Sequence, residues 1–145
     1  MVSEVTMNLA MPRPFDLTAT LESGQAHRWR REGQWYCGVV YGNMLKVRQN
    51  SVGIEVFSAP AEPEELIALL TSYFRLDDNL DGIYQTINRD PLIADMIDRY
   101  AGLRLLRQEP WECLVAFICS ATSNIPRIAA NMEAIADTYG QRITL

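Results

Sequence analysis

The sequence predicts an α+β fold, in which an antiparallel β-sheet is followed by α-helices. Two observations lead to this prediction. Up to about residue 60, apolar residues recur at every second position, whereas beyond it they follow the period of an amphipathic helix. In addition, turn-forming residues separate the short alternating segments, a pattern typical of a meander of antiparallel strands.

The sheet is expected to occupy residues 14–58. Phe15, Leu17, Ala19 and Leu21 alternate with polar residues, and the segment WYCGVVY is rich in β-branched and aromatic residues. Trp29 and Trp35 are expected in the core, because large aromatic side chains bury much apolar surface. The segments predicted as strands are residues 15–21, a short stretch at 27–31, then 34–41, 44–49 and 53–58.

Five helices are expected after residue 60. They are predicted to begin at Pro63, Leu80, Asp90, Glu109 and Asn124, because Pro in a first turn and Asp or Asn as N-cap mark helix starts. The third helix is predicted to end at Gly102 and the fifth at Gly140. The fourth, residues 110–120, is apolar nearly all round and is therefore predicted to be buried.

The chain of 145 residues is long enough for one domain and part of a second. Residues 1–88 are predicted to form the sheet domain with its covering helices, and residues 89–145 the start of a helical domain. The last helices need partners for their apolar faces, so we expect a fragment or a truncated gene product.

Several classes of protein and of site are disfavoured. No apolar run reaches the roughly 18 residues that cross a bilayer, so no membrane partner is expected. The N-terminus lacks a basic segment followed by a long apolar one, which indicates an intracellular protein. The net charge of −5 makes nucleic acid a poor partner on charge alone.

Neither a metal nor a cofactor is expected. The chain has three cysteines without a CxxC pair and one histidine, His27, which is too few for a zinc site or a cysteine nucleophile with its base. Cys113 and Cys119 lie in an apolar stretch and are expected to be buried, reduced thiols.

Two motifs are more specific. Residues 23–29 read SGQAHRW, and about 80 residues later 102–120 read GLRLLRQEPWECLVAFICS, followed by Asn124, Ile125 and Arg127. Residues 73–77, YFRLD, form a third, shorter segment. Together these motifs resemble the 8-oxoguanine DNA glycosylase family, and the resemblance extends over roughly residues 14–145.

The resemblance implies a TATA-binding-protein-like sheet followed by a helical body. That body would hold a helix-hairpin-helix, a lysine nucleophile and an aspartate. The implied function is base-excision repair: removal of 8-oxoguanine from damaged double-stranded DNA with associated abasic-site lyase activity. The implied location is the nucleoid of a prokaryote or the nucleus of a eukaryote.

Gly24 is the candidate for base recognition. By its residue type alone it could equally be a turn glycine. The resemblance makes its carbonyl a contact to the flipped purine, because 8-oxoguanine carries a hydrogen on N7 where guanine has a lone pair. The neighbouring Gln25 and Arg28 could both be solvated polar residues, and for Arg28 we expect this.

The candidate DNA-binding residues lie in one loop and the helix after it: Ser120, Thr122, Ser123, Asn124 and Arg127. From its residues alone, the loop is a connection between two helices with an N-cap. The resemblance gives it contacts to DNA, with the Arg holding the orphaned cytosine. In the family an Asn fills the space left by the flipped base, but Thr122 stands there and lacks the amide donor and acceptor. The preference for the opposite base is therefore left open.

No catalytic residue is expected in this chain. Lys46 is the one lysine, and it lies in mid-strand, where we expect it to point to solvent. The missing C-terminal catalytic portion is thus an implied partner. Two alternatives remain open from the sequence: a non-catalytic binding module that keeps the fold, and an inert truncated product.

Overall fold

The structure, a computed structural model, describes residues 5–60 and 62–143. Over these residues an antiparallel sheet of order β1-β5-β4-β3-β2 is followed by helices, which confirms the predicted α+β class. The strands are β1 (Val5–Ala10), β2 (Arg30–Glu32), β3 (Trp35–Val40), β4 (Asn43–Gln49) and β5 (Gly53–Ala59). The helices are α1 (Leu17–Leu21), α2 (Pro63–Tyr73), α3 (Leu80–Ile87), α4 (Pro91–Arg99), α5 (Pro110–Cys119) and α6 (Ile125–Tyr139).

The main core lies on one face of the sheet. Alternate residues of the adjacent strands β4 and β5 are fully buried, and α1 and α2 cover them. This is the arrangement that a period-two pattern produces when one face of a sheet is packed and the other is solvated. The side chains in question are Leu45, Val47, Ile54 and Val56 of the sheet, with Leu17, Leu66 and Leu70 of the helices.

The prediction of a strand over residues 15–21 is wrong, because Leu17–Leu21 is a short helix. The Asp16 side chain accepts a hydrogen bond of 2.8 Å from the Ala19 backbone N–H and so caps the helix. Leu17 and Leu21, four positions apart, then both point into the core. A stretch this short carries both periodicities, and the cap decides between them.

Two strands differ from the prediction. β1 was not expected, although its Met7 and Leu9 are half-buried between exposed Thr6 and Asn8, and it pairs with β5. β2 begins at Arg30, three residues later than predicted. Trp29, which directly precedes β2, packs its ring over Gly38 on the core side.

The prediction that both tryptophans lie in the core holds for only one of them. Trp29 packs against the core, as predicted. The prediction is wrong for Trp35, which lies on the outer face of the sheet, with its ring centroid 5.2 Å from that of Phe57. Its neighbour Tyr36 is the residue that points inward and is buried. The alternation of the strand allows only one of the two to face the core.

A second, smaller core joins α5 and α6 through Ala116, Ile128 and Met132. The prediction that α5 is buried is wrong: Phe117 is 75% exposed and Trp111 69% exposed. Cys113 is likewise exposed and Cys119 half-buried, against the expectation of buried thiols. α5 therefore has one apolar side on α6 and another that the described residues leave uncovered. We call the latter the α5 apolar face; it comprises Trp111, Leu114, Phe117 and Ile118.

The third predicted helix, α4, ends at Arg99 and not at Gly102. Gly102 has another reason to be glycine. Its φ is +90°, and a Cβ there would lie 2.7 Å from the backbone of Phe15 and Asp16. Its carbonyl accepts a hydrogen bond of 2.9 Å from the Asp16 N–H. The first residue of the second motif is therefore bonded to the residue that caps α1. The division into residues 1–88 and 89–145 stays a prediction.

In the described part of the chain, none of the helices has both the length and the apolar character that a bilayer crossing needs.

Candidate nucleic-acid interface

Gly24 lies in the loop between α1 and β2, in a backbone conformation that favours glycine. Its φ is +81°, in the left-handed region that other residues adopt only with strain. Among the described residues, no hydrogen bond is made to its carbonyl oxygen. The carbonyl is therefore not committed to the hydrogen bonding of the described residues.

Gln25 holds this turn from one side. Its amide nitrogen donates to the Arg104 carbonyl at 2.8 Å, and its amide oxygen accepts from the Leu106 N–H at 2.7 Å. The same nitrogen lies 3.1 Å from the Thr20 carbonyl. Gln25 is therefore not a solvated residue, because an extended segment lies close enough to pair with its side chain. The first motif is bound to the second through this residue.

Trp29 holds the other end of the first motif. Its indole N–H donates to the Tyr73 hydroxyl at 2.8 Å. Burial raises the pKa of Tyr73 well above its ordinary value, so the hydroxyl stays neutral. The loop that carries Gly24 is thereby fixed to the core both before and after His27, whose pKa burial lowers.

Arg104 holds in place the extended segment whose backbone pairs with the Gln25 side chain. It is only 2% exposed, and its guanidinium donates to the Arg75 carbonyl at 2.6 Å. Its backbone N–H donates to the Thr20 hydroxyl at 3.1 Å. Burial lowers the pKa of Arg104, and the nearby charge of Asp78 opposes this shift. An arginine in this motif is thus part of the scaffold, not a contact to DNA.

The structure brings Gly24 against the start of α6. A Cβ built on Gly24 would lie 2.8 Å from Cδ1 of Ile125, which directly follows Asn124. Two segments roughly 100 residues apart in sequence are therefore in contact. The candidate base-recognition residue and the candidate DNA-binding loop share one region of the surface.

The loop between α5 and α6 has a defined internal geometry. The Ser120 hydroxyl donates to the Phe117 carbonyl at 2.6 Å, closing the end of α5. Thr122 is exposed and has a φ of +51°, an uncommon value for a β-branched residue. The Ser123 N–H donates to the Ser120 carbonyl at 3.2 Å, and its hydroxyl oxygen is buried without a partner in the described residues.

Asn124 caps α6, as the sequence predicts. Its side-chain oxygen accepts from the Arg127 N–H at 3.0 Å. Since Pro126 has no N–H, few backbone donors remain at this helix end for an anion. The Arg127 side chain is exposed and forms no ion pair with any described residue. It is the group at this surface that is free to donate to a phosphate or a base edge.

α6 is tied to the sheet by charge. Glu133 receives a hydrogen bond of 2.6 Å from Arg30, and its other oxygen lies 3.6 Å from Nε of Arg28. Arg28 is half-buried, so the expectation that it is solvated is wrong. Glu133 brings the charge that draws Arg28 inward. These two arginines are therefore engaged within the protein.

Glu112 of α5 lies next to this cluster. Burial raises the pKa of its carboxyl; the Arg28 charge opposes this, and Glu109 and Glu133 reinforce it. Within residues 5–60 and 62–143, no group of histidine, cysteine and acidic side chains is placed to hold a metal ion.

Lys46 lies away from these features on β4. Its ammonium is 5.5 Å from the ring centroid of Trp35, on the outer face of the sheet. Its strand neighbours Leu45 and Val47 are fully buried on the inner face.

Three residues of this region escaped sequence reasoning: Gln25 and Arg104, which build the support under Gly24, and Ile125, which touches it. The motifs themselves pointed to these residues, since all three lie inside the two motifs. Their tasks depend on contacts between distant segments, which sequence spacing does not reveal.

The comparisons with known proteins agree with this geometry. The family model described as 8-oxoguanine DNA glycosylase, N-terminal domain, matches residues 8–114. Among curated proteins, the N-glycosylase/DNA lyase of Saccharomyces cerevisiae is 30% identical over an alignment 145 positions long, which covers 88% of this chain and 37% of that protein. The match to the family model ends before the loop that leads to α6.

Solved structures extend the likeness to nearly the whole chain. The Clostridium acetobutylicum 8-oxoguanine glycosylase/lyase in its apo form has a TM-score of 0.83 and 28% identity, covering 98% of this chain and 49% of that one. The same enzyme with double-stranded DNA containing cytosine opposite 8-oxoG has a TM-score of 0.81 and 30% identity, covering 90% of this chain and 45% of that one. This chain thus spans about half the length of the structures it matches, and it belongs to the 8-oxoguanine DNA glycosylase N-terminal domain family.

Proposed function

We propose that this chain is the recognition part of an enzyme that removes 8-oxoguanine from double-stranded DNA in base-excision repair and cleaves the abasic site. The observation that carries the proposal is the contact between the Gly24 turn and the start of α6. A free backbone acceptor and an exposed arginine thereby come to one surface. The matched structures of the Clostridium enzyme, one of them with double-stranded DNA containing cytosine opposite 8-oxoG, support this proposal.

The Gly24 carbonyl is suited to distinguish the damaged base. An 8-oxoguanine flipped out of the duplex presents an N7–H donor, whereas guanine presents a lone pair at the same position. A carbonyl oxygen fixed at that point accepts from the first and repels the second. A side chain on residue 24 would collide with Ile125 and strain the turn, so glycine suits both the fold and the recognition.

Arg127 is proposed to hold the cytosine that loses its partner. Its planar guanidinium offers a fork of donors, which suits base-edge and phosphate acceptors. Thr122 in the left-handed region shapes the loop before it, and Ser120, Ser123 and Asn124 fix the loop by their internal hydrogen bonds. We propose that these residues contact the DNA. Thr122 has no amide with which to fill the space that the flipped base leaves in the duplex.

The chemical step is proposed to need residues of a C-terminal portion. Schiff-base chemistry requires an amine within reach of the sugar C1′, and Lys46 lies on the outer face of the sheet. The α5 apolar face is the surface on which the remaining helical portion would pack, since it would otherwise expose several large apolar side chains. A repair function places the protein in the compartment that holds DNA.

The test is a chimera of residues 1–145 with the part of the Clostridium enzyme to which this chain does not align. We expect the chimera to excise 8-oxoguanine opposite cytosine and to form a borohydride-trapped adduct. The 145-residue chain alone should form none. A folded chimera that binds the lesion duplex no better than an undamaged one would refute the proposal, and so would a trapped adduct of the chain alone that Lys46→Ala abolishes.

A further inference from the structure

Gly24 needs external support if its carbonyl is to point in one direction. Glycine has the widest choice of backbone conformations, so its own φ and ψ do not fix the carbonyl. Gln25 anchors the residue that follows, through its bonds to the Arg104 carbonyl and the Leu106 N–H. That anchor restrains one side of the turn and leaves the other side, at the Gly24 Cα, to a different contact.

Ile125 supplies that second contact. Its Cδ1 and Cγ1 atoms lie 2.8 and 3.7 Å from where a Gly24 Cβ would stand, so its side chain fills the space beside the Gly24 Cα. Even so, Ile125 is 56% exposed and does not belong to either buried core. Burial within this chain is thus a poor reason for an isoleucine here, whereas its contact with Gly24 is specific.

The position of Ile125 is itself well determined. It is the first residue of α6, whose N-terminus Asn124 caps at 3.0 Å. The helix is held on α5 by Ile128 and Met132, and on the sheet by the Glu133 pair with Arg30. A rigid helix therefore carries the Ile125 side chain to the turn, and the same first turn carries Arg127.

We infer that Ile125 is a positioning residue that sets the Gly24 carbonyl for discrimination between 8-oxoguanine and guanine. The inference rests on the proposed function, which gives Gly24 its role. It adds a connection between the two contacts: α6, which carries Arg127, also supports the Gly24 turn that recognises the damaged base. Loss of the Ile125 side chain should loosen the turn while Gln25 keeps the loop in place.

The first experiment measures the turn itself, in the intact 145-residue chain by NMR. Ile125→Ala should shift the Gly24 carbonyl carbon resonance and lower the order parameter of the Gly24 amide. Ile125→Leu, which keeps terminal methyl groups within reach, should largely restore both. Ile135→Ala is the matched control, because Ile135 is a partly exposed isoleucine of the same helix, about 15 Å further along it. It should leave Gly24 unchanged.

The second experiment measures specificity in the chimera described above. The readout is the ratio of kcat/KM for 8-oxoguanine to that for guanine. Ile125→Ala should lower this ratio by about three- to tenfold, the effect of losing one neutral hydrogen bond. Ile125→Leu and Ile135→Ala should stay within about twofold of the parent on the same scale.

The two arms separate the possible failures. An unchanged Gly24 resonance in Ile125→Ala would overturn the inference and leave the proposed function intact. A loosened turn with an unchanged specificity ratio would also overturn it, since the contact would then be structural only. A parent chimera that excises guanine as readily as 8-oxoguanine would refute the proposed function, and the inference with it.

Discussion

Replacing Gln25 by alanine should destabilise the chain, because the two motifs are joined through this side chain. The substitution removes the acceptor of the Leu106 N–H at 2.7 Å and the donor to the Arg104 carbonyl at 2.8 Å. Both residues are buried, so water does not easily replace the lost partner. A buried backbone group left unpaired costs about 1–3 kcal/mol. Two such groups give an expected loss of about 2–6 kcal/mol in the free energy of unfolding.

The assay is urea denaturation of the 145-residue chain, followed by circular dichroism. The midpoint should fall while the m-value stays constant, since the surface exposed on unfolding is unchanged. Gln85→Ala is the matched control, because Gln85 is an exposed glutamine of α3. Gln25→Glu keeps the acceptor but sets a carboxylate against two carbonyl oxygens, so it should be no more stable than Gln25→Ala. A loss below about 0.5 kcal/mol for Gln25→Ala would refute this reasoning.

Three further predictions concern other contacts. Tyr73→Phe leaves the Trp29 indole N–H without its 2.8 Å partner and should lower the free energy of unfolding by about 1–2 kcal/mol, measured by urea denaturation with tryptophan fluorescence. Burial raises the pKa of Glu112 above its ordinary value of 4.5, so the free energy of unfolding should fall as pH rises from that value through the raised pKa, where the folded state binds more protons than the unfolded one. Glu112→Gln should flatten that slope. Phe117→Lys should reduce self-association of the chain in sedimentation velocity, because Phe117 is central to the α5 apolar face.

Each of these predictions has an outcome that would contradict it. For Tyr73→Phe, an unchanged unfolding midpoint would show that the hydrogen bond is not needed. For Glu112→Gln, equal slopes in the variant and the parent protein would contradict the prediction. For Phe117→Lys, the control is Val52→Lys at an isolated exposed valine, and equal self-association of both variants would show that the α5 apolar face is not responsible.

Local signals in the sequence predicted much of the fold. The alternation in β4 and β5 matches the buried residues Leu45, Val47, Ile54 and Val56, and Asn124 caps α6 where expected. The failures have a common physical cause. Residues 15–21 were too short for periodicity to separate a strand from a helix, and the Asp16 cap decided the outcome. The apolar composition of α5 predicted burial, but burial requires a partner surface, which the described residues do not provide.

The candidate site could be predicted only through the motifs. Gly24 and Ile125 lie roughly 100 residues apart, and no local pattern reports their contact. The resemblance placed Gly24 and Arg127 in one site, and the structure supplies the parts that connect them. Gln25 illustrates the limit most clearly, since a polar side chain in a loop looks solvated until the segment that pairs with it is known.

The central claim is that the Gly24 turn and the start of α6 form the surface that meets DNA. It is tested most directly by NMR titration of the 145-residue chain with a duplex containing 8-oxoguanine opposite cytosine, at low salt, where phosphate contacts are strongest. The amides of Gly24, Ser123, Asn124 and Arg127 should shift together and lose their shifts as salt is raised. Shifts centred instead on the exposed turn at Val52, or no shifts at millimolar duplex, would contradict the claim.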